Sequence, residues 1–221
     1  MKAKELINIV DSVAINAHDT KKEVDILIDD AIKYGYKLIF PLACFNEYAI
    51  ERLKGTETKV GGGVGSALGV GEEPTAVKLA AAKHWAEVGC GEIEMFMNVP
   101  KLRSGMYDEV LSEMKAVREL VPVTFKVIIH TPLLTKEEIE KASELVVQSG
   151  ADYIKTTTGF FGPTTVEDVR TIKETVGDRI QIKAAGGVSG LDMIAELMEI
   201  GVTRFGLSNA KLVKYIGELE K

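Results

Sequence analysis

The sequence is poor in the residues that define several protein classes. Its two cysteines, Cys44 and Cys90, are too few for a disulfide scaffold. With no signal-peptide core at the amino terminus they are expected as reduced thiols, and the protein as cytoplasmic. Its three histidines, His18, His84 and His130, share no ligand spacing, so neither a metal nor a cofactor is expected. No apolar run is long enough to span a bilayer, so no membrane partner is expected. Nor is there a basic stripe: 27 Lys and Arg against 33 Asp and Glu leave a net charge of -6, which argues against nucleic acid. What remains is the composition of an ordinary globular protein, 46% hydrophobic and 27% charged, in a chain of 221 residues that can bury a full core.

The chain alternates short apolar runs with amphipathic segments, and no compositional break divides it. Residues 8–13 predict a first strand after a short amphipathic lead. Lys21–Tyr34 predicts a helix, capped by Asp19 and Thr20 and ended by Gly35. Strands are expected at Tyr36–Phe40, Lys59–Gly63, Glu92–Val99, Val123–Ile129, Ala151–Thr156, Ile180–Ala184 and Thr203–Leu207. Helices are expected at Asn46–Leu53, Pro74–Val88, Tyr107–Leu120, Lys136–Gln148, Val166–Thr175, Gly190–Glu199 and Ala210–Leu219. Eight such units predict an α/β fold, a single (β/α)8 TIM barrel over residues 1–221; an open doubly wound sheet is the alternative. The run Gly61–Gly69 lacks the Gly-Lys-Ser/Thr ending of a phosphate-gripping P-loop and a clean dinucleotide spacing, so it reads as a flexible loop over the mouth. His84 and Trp85 read as surface or helix-packing positions rather than a subunit contact.

Two strands end in lysine before a glycine-bearing loop: Ala151-Asp152-Tyr153-Ile154-Lys155 and Arg179-Ile180-Gln181-Ile182-Lys183. Two lysines at the carboxyl ends of neighbouring strands meet at the mouth, where barrel enzymes keep their sites. An unperturbed lysine, with a pKa of about 10.4, is neutral in less than about one molecule in a thousand at pH 7. Desolvation and a second cation lower that pKa and leave an amine able to attack a carbonyl. Two lysines snorkelling at a rim is the plain alternative. The period-two rule puts Glu92 and Glu94 on one face of their strand and Lys126 and His130 on one face of the next. Because the intervening residues are apolar, these faces are expected to point into the barrel, with Glu92 and Lys126 as a structural ion pair. Gly186-Gly187 and Gly206-Leu207-Ser208-Asn209 follow strands seven and eight, where this fold often holds a phosphate; ordinary turn and capping chemistry is the alternative there. Together these features predict a lysine-imine enzyme for a small phosphorylated carbonyl compound.

Asp152-Tyr153-Ile154-Lys155-Thr156-Thr157-Thr158-Gly159-Phe160 and Lys183-Ala184-Ala185-Gly186-Gly187-Val188 resemble the two lysine motifs of the deoxyribose-phosphate aldolase family, and Lys126-Val127-Ile128-Ile129 resembles a weaker strand motif of it. The resemblance runs over most of the chain and is strongest from Gly89 to Asn209. It implies a barrel in which Lys155 forms the Schiff base, Lys183 depresses its pKa and a carboxylate on strand four, here Glu94, assists proton transfer. It also implies phosphate contacts from Thr158, Gly159, Gly186, Gly187, Ser208 and Asn209. The sequence departs from the family at Glu94, where aspartate is usual, at His130, where glutamate is usual, and at Asn209, where a second serine is usual. Of the early Asp-His-Thr-type motif only Asp11 is kept, and Phe40-Pro41-Leu42-Ala43 stands where a Cys-Val-Asn-Pro-like strand is usual. Asp11 and His130 are further candidates for substrate contact. The expected reaction is reversible cleavage of 2-deoxy-D-ribose 5-phosphate to acetaldehyde and glyceraldehyde 3-phosphate. A Schiff-base aldolase with another donor or acceptor, and a catalytically silent sugar-phosphate binder, are the alternatives. Assembly as a homo-oligomer is left open.

Overall fold

The computed structural model describes residues 1–65 and 67–221; Ser66, inside the glycine-rich run, lies outside the described residues. The first half of the chain forms α1 (Ala3–Ile9), β1 (Val10–Ala14), α2 (Lys21–Tyr34), β2 (Leu38–Pro41), α3 (Asn46–Arg52), β3 (Lys59–Val64), α4 (Thr75–Glu87), β4 (Glu92–Phe96), α5 (Val99–Arg103) and α6 (Tyr107–Leu120). The second half forms β5 (Thr124–Ile128), α7 (Lys136–Gln148), β6 (Tyr153–Lys155), α8 (Val166–Val176), β7 (Gln181–Ala185), α9 (Leu191–Ile200), β8 (Val202–Ser208) and α10 (Asn209–Leu219). The strands pair in sequence order and β8 returns to β1, with Val10 opposite Phe205 and Val13 opposite Ser208, so the expected barrel closes. No helix among the described residues is long and apolar enough to cross a membrane.

Local chemistry accounts for the helix limits. Thr20, Thr135 and Thr165 each cap a helix and exchange bonds with an acidic residue three positions on, Glu23, Glu138 and Asp168. Gly35 ends α2 at φ 70°, a left-handed conformation that glycine adopts without penalty. Two segments differ from expectation. Residues 8 and 9 belong to α1, because Leu6 and Ile7 bury one helical face and carry the helix on to Val10. Strand four stops at Phe96, because the Asn98 side chain accepts from the Lys101 amide and Pro100 favours a first turn, which starts α5. The glycine run is also divided: Gly61, Gly62 and Gly63 lie within β3, and the loop begins only at Gly65.

Alternation sorts the strands into two faces. Ile93, Met95, Val127, Ile154, Ile182 and Phe205 point outward into the helix layer and form the apolar core with it. The inward faces carry the charged residues. On the outer side, the Trp85 indole lies against Gly62 and donates to the Gly63 carbonyl at 2.8 Å, a packing role for this helix residue. On the inner side, a Cβ at Gly61 would overlap the Phe40 ring, so glycine there admits Phe40 to the barrel interior.

Candidate active site

Strand register brings the two lysines together. Lys155 is the last residue of β6 and pairs in register with Lys183 of β7. A bulge between Ile182 and Lys183 resets β7 against β8, so that Lys183 stands opposite Arg204. On the other side, Glu94 of β4 stands opposite Lys126 of β5. One carboxylate, Glu94, bridges the two lysines: Oε2 is 2.5 Å from Lys155 Nζ and Oε1 is 2.6 Å from Lys183 Nζ.

Below them lies an ionic network in which Asp11, Lys126 and Lys183 are fully buried and Arg204 is half-buried at its edge. Asp11 Oδ2 accepts from Lys183 at 2.5 Å and from Lys126 at 2.7 Å, while Oδ1 is 3.3 Å from Arg204 Nε. Glu92 pairs with Lys126 at 2.5 Å and with Arg204 at 2.7 Å. The expected ion pair of Glu92 and Lys126 is therefore present, deeper than the two strand-end lysines. Asp11 differs from the expectation of a substrate contact. It is fully buried, ringed by Lys126, Lys183 and Arg204, and its place is under the lysines rather than at the mouth.

Among the described residues this linked set contains four basic groups, Lys126, Lys155, Lys183 and Arg204, and three carboxylates, Asp11, Glu92 and Glu94. Removing one proton from a basic group balances it, and burial makes balance valuable. The groups respond unequally. Burial lowers the Lys155 pKa to about 8, and the charges of Lys183 and Lys126 add to that effect against the opposing pull of Glu94. Burial would lower Lys183 too, but Asp11 and Glu94 outweigh it and hold its pKa above the ordinary lysine value. Burial alone would raise Glu94, yet Lys155, Lys183 and Lys126 hold it well below the usual carboxylate range. The proton most easily lost therefore belongs to Lys155. At pH 7 about one molecule in ten carries it as a free amine, several hundred times more than for an ordinary lysine.

Phe40 and Arg204 take part without having been singled out in the sequence. The Phe40 ring centroid lies 5.0 Å from Lys183 Nζ, 5.7 Å from Lys126 Nζ and 5.9 Å from Lys155 Nζ. Its ring keeps water from the amines while its face favours their charged forms. Arg204 was legible by period: it shares a strand face with Gly206 and Ser208 and is the one charged residue of its strand.

The phosphate candidates fall into two groups. Thr158 and Gly159 meet Gly186 and Gly187 directly: a Cβ at Gly186 would lie 2.3 Å from the Gly159 nitrogen, at φ 76°. Ser208 and Asn209 lie at the start of α10, whose first turn has no side-chain cap, so its amides are open donors at the positive end of the helix. The Asn209 side chain turns away from them. Its Oδ1 accepts from Ser12 and Tyr36, each at 3.2 Å, and its Nδ2 donates to Asp30 at 2.7 Å. Only the backbone of Asn209 can serve an anion at the mouth. His130 lies at the mouth too, just past β5, buried beside Thr157.

Comparison with known proteins gives relatives over nearly the whole chain. A deoxyribose-phosphate aldolase of Metamycoplasma hominis is 41% identical over 199 residues, covering 89% of this chain and 91% of the relative. The solved structure of QR15, an aldolase, superposes with a TM-score of 0.86 at 31% identity, covering 94% of each chain. The tetrameric deoxyribose phosphate aldolase of Aeropyrum pernix shares the fold at a TM-score of 0.84 and 21% identity, covering 98% of this chain and 93% of that one. A scan against protein-family models finds no match.

Proposed function

The chain belongs to the deoxyribose-phosphate aldolase family, and from that membership we propose a residue-level mechanism for its reaction. The enzyme is a class I aldolase, a lyase that cleaves 2-deoxy-D-ribose 5-phosphate to acetaldehyde and glyceraldehyde 3-phosphate through a lysine imine. The observation that carries the assignment of the nucleophile is the unequal treatment of two adjacent lysines: Lys155 is pushed toward the neutral amine and Lys183 is held as a cation.

The neutral Lys155 amine attacks the C1 carbonyl of the open-chain sugar, and loss of water from the carbinolamine gives the imine. The protonated imine withdraws electrons as the C2–C3 bond breaks. The C3 hydroxyl loses its proton, glyceraldehyde 3-phosphate leaves, and the bonding pair becomes an enamine. Protonation at C2 and addition of water then release acetaldehyde and restore the amine. Glu94 and the Lys183 ammonium, in contact with each other and beside Lys155, are the groups we assign to the proton transfers, working through water. Glu94 is the stronger acid by far, so it acts as the ionised partner that orients Lys183 and the water. Thr158, Gly159, Gly186, Gly187, Ser208 and the Asn209 amide are the proposed phosphate seat. The glycines permit close backbone approach, and the start of α10 supplies donors and a favourable dipole.

Borohydride reduction in the presence of acetaldehyde, followed by peptide mass mapping, tests the assignment. An ethyl adduct on Lys155 and none on Lys183 is the expected result. An adduct on Lys183 alone would reverse the two roles. No adduct on either lysine, from folded protein, would leave the silent binder as the better account.

A further inference from the structure

His130 is a buried polar group at the mouth that the mechanism above does not use. It lies two residues past Ile128, the end of β5 and the strand neighbour of Lys155, and its ring meets Phe96 at the end of β4 and Thr157 two residues past Lys155. These three side chains thus form a layer directly above the nucleophile. The His130 ring stacks on Phe96, centroids 5.5 Å apart and planes at 20°, and receives the edge of Phe161 at 5.3 Å. Its backbone is left-handed, at φ 57°, an unusual state for a residue with a Cβ. Nδ1 lies 3.3 Å from Thr157 Oγ1. The Gly69 backbone favours a proton on the ring, and Nε2 makes no hydrogen bond of regular geometry among the described residues. A fully buried ring nitrogen without a bond is costly, and at a ligand-binding mouth a ligand is the natural supplier of one.

We propose that His130 is a specificity-determining residue: its Nε2 hydrogen-bonds the C4 hydroxyl of the sugar, the 2-hydroxyl of the acceptor, held in place by Phe96, Phe161 and Thr157. The proposal rests on the aldolase reading above. A sugar joined to Lys155 through C1 must rise through this layer, so its C3 and C4 hydroxyls pass the ring. Burial, reinforced by the Lys155 charge, brings the His130 pKa down to about 4, so the imidazole is neutral in the working range. A neutral ring can donate to or accept from a hydroxyl, and it is poorly matched to a phosphate dianion. It selects an oxygenated acceptor without placing another cation beside the nucleophile.

The test measures condensation of acetaldehyde with two acceptors, glyceraldehyde 3-phosphate and the analogue lacking its 2-hydroxyl, 3-phosphooxypropanal. His130→Phe keeps the stacked ring and removes both nitrogens; His130→Asn keeps a polar side chain and tolerates the left-handed backbone. His130→Phe is expected to lower kcat/KM on the order of tenfold for the hydroxylated acceptor, the worth of one neutral hydrogen bond. It should change the deoxy acceptor by less than about twofold, and His130→Asn should recover part of the loss. Equal losses for both acceptors, or no loss for either, would overturn the proposal. Acetaldehyde trapping on Lys155 in His130→Phe is expected to match the unsubstituted protein, so the variant separates acceptor recognition from imine chemistry. Failure of trapping in the unsubstituted protein would instead overturn the aldolase reading, and this proposal with it.

Discussion

Lys155 and Lys183 stand opposite each other on neighbouring strands and share one counter-ion, the two oxygens of Glu94. Their difference arises from what each touches besides. Lys183 has Asp11 as a second anion at 2.5 Å, whereas among the described residues Lys155 pairs with Glu94 alone, at 2.5 Å, with the Phe40 ring 5.9 Å away. One carboxylate beneath the site therefore divides two like groups into a retained cation and a potential nucleophile.

Replacing Lys183 with leucine removes a charge that lowers the Lys155 pKa. The alkaline-going rise of kcat/KM, expected with a midpoint near the Lys155 value of about 8, should move to higher pH. It should not reach the ordinary lysine value, because burial is the larger cause and persists. A pH profile with an unmoved midpoint would count against any influence of Lys183 on the nucleophile.

Glu94→Gln keeps the shape and removes the charge that opposes the lowering of Lys155. The midpoint should shift to lower pH while turnover falls by about 10² to 10⁴, the range for a lost proton-transfer partner. Imine trapping at saturating acetaldehyde should survive. Loss of trapping together with turnover would show instead that Glu94 is needed to hold Lys155 in place.

Lys155→Met should abolish trapping and raise stability at pH 7. The native protein holds this amine at a pKa of about 8 against the ordinary lysine value of 10.5, so folding disfavours the proton that the unfolded chain keeps. The resulting cost, on the order of 3 kcal/mol, is complete below pH 8 and is relieved as pH rises toward 10.5. Denaturant unfolding at pH 7 and pH 10 should find the variant's advantage larger at pH 7.

His130 supplies an acid-side test of stability. Its pKa of about 4 in the folded protein lies below the ordinary histidine value of 6.5, so between these limits the unfolded chain binds the extra proton. Stability is lost as pH falls from 6.5 to 4, by as much as about 3 kcal/mol from this group. His130→Phe should flatten that part of the stability curve. A curve of unchanged slope would mean that the histidine charges freely in the folded protein.

Gly186→Ala places a methyl within 2.3 Å of the Gly159 nitrogen and requires φ 76° of an alanine. Strain and displacement of the facing loop should cost about 1–3 kcal/mol. The expected kinetic signature is a raised KM for the phosphorylated sugar with acetaldehyde trapping retained. Trapping lost along with phosphate affinity would place the two loops nearer the imine than proposed.

Much of this was legible in residues close together in the chain. Asp19 and Thr20 marked the start of the helix Lys21–Tyr34 and Gly35 its end, and a two-residue period put Glu92, Glu94 and Lys126 on inward faces. Other features were not legible, for identifiable reasons. Asn98 outcompeted strand continuation through a side-chain bond to one amide, a choice that the apolar run Met95-Phe96-Met97 concealed. Gly61 and Gly62 fell in the expected strand Lys59–Gly63, but the sequence did not show that each yields space to an aromatic from another element, Phe40 and Trp85. Asn209 matched a phosphate position by sequence, while its side chain is bound to Ser12, Tyr36 and Asp30 from distant segments.

The sequence by itself determined the alternation of strands and helices and put two lysines at strand ends before glycine-bearing loops, because caps, periods and turns are set by neighbours within a few residues. Which carboxylate each lysine meets was decided only by tertiary structure. Asp11 and Lys183 are 172 residues apart and come together because β8 closes on β1 and a bulge turns β7 beside it. The same closure removes water from Lys155, and removal of water, more than any neighbouring charge, is what frees its amine.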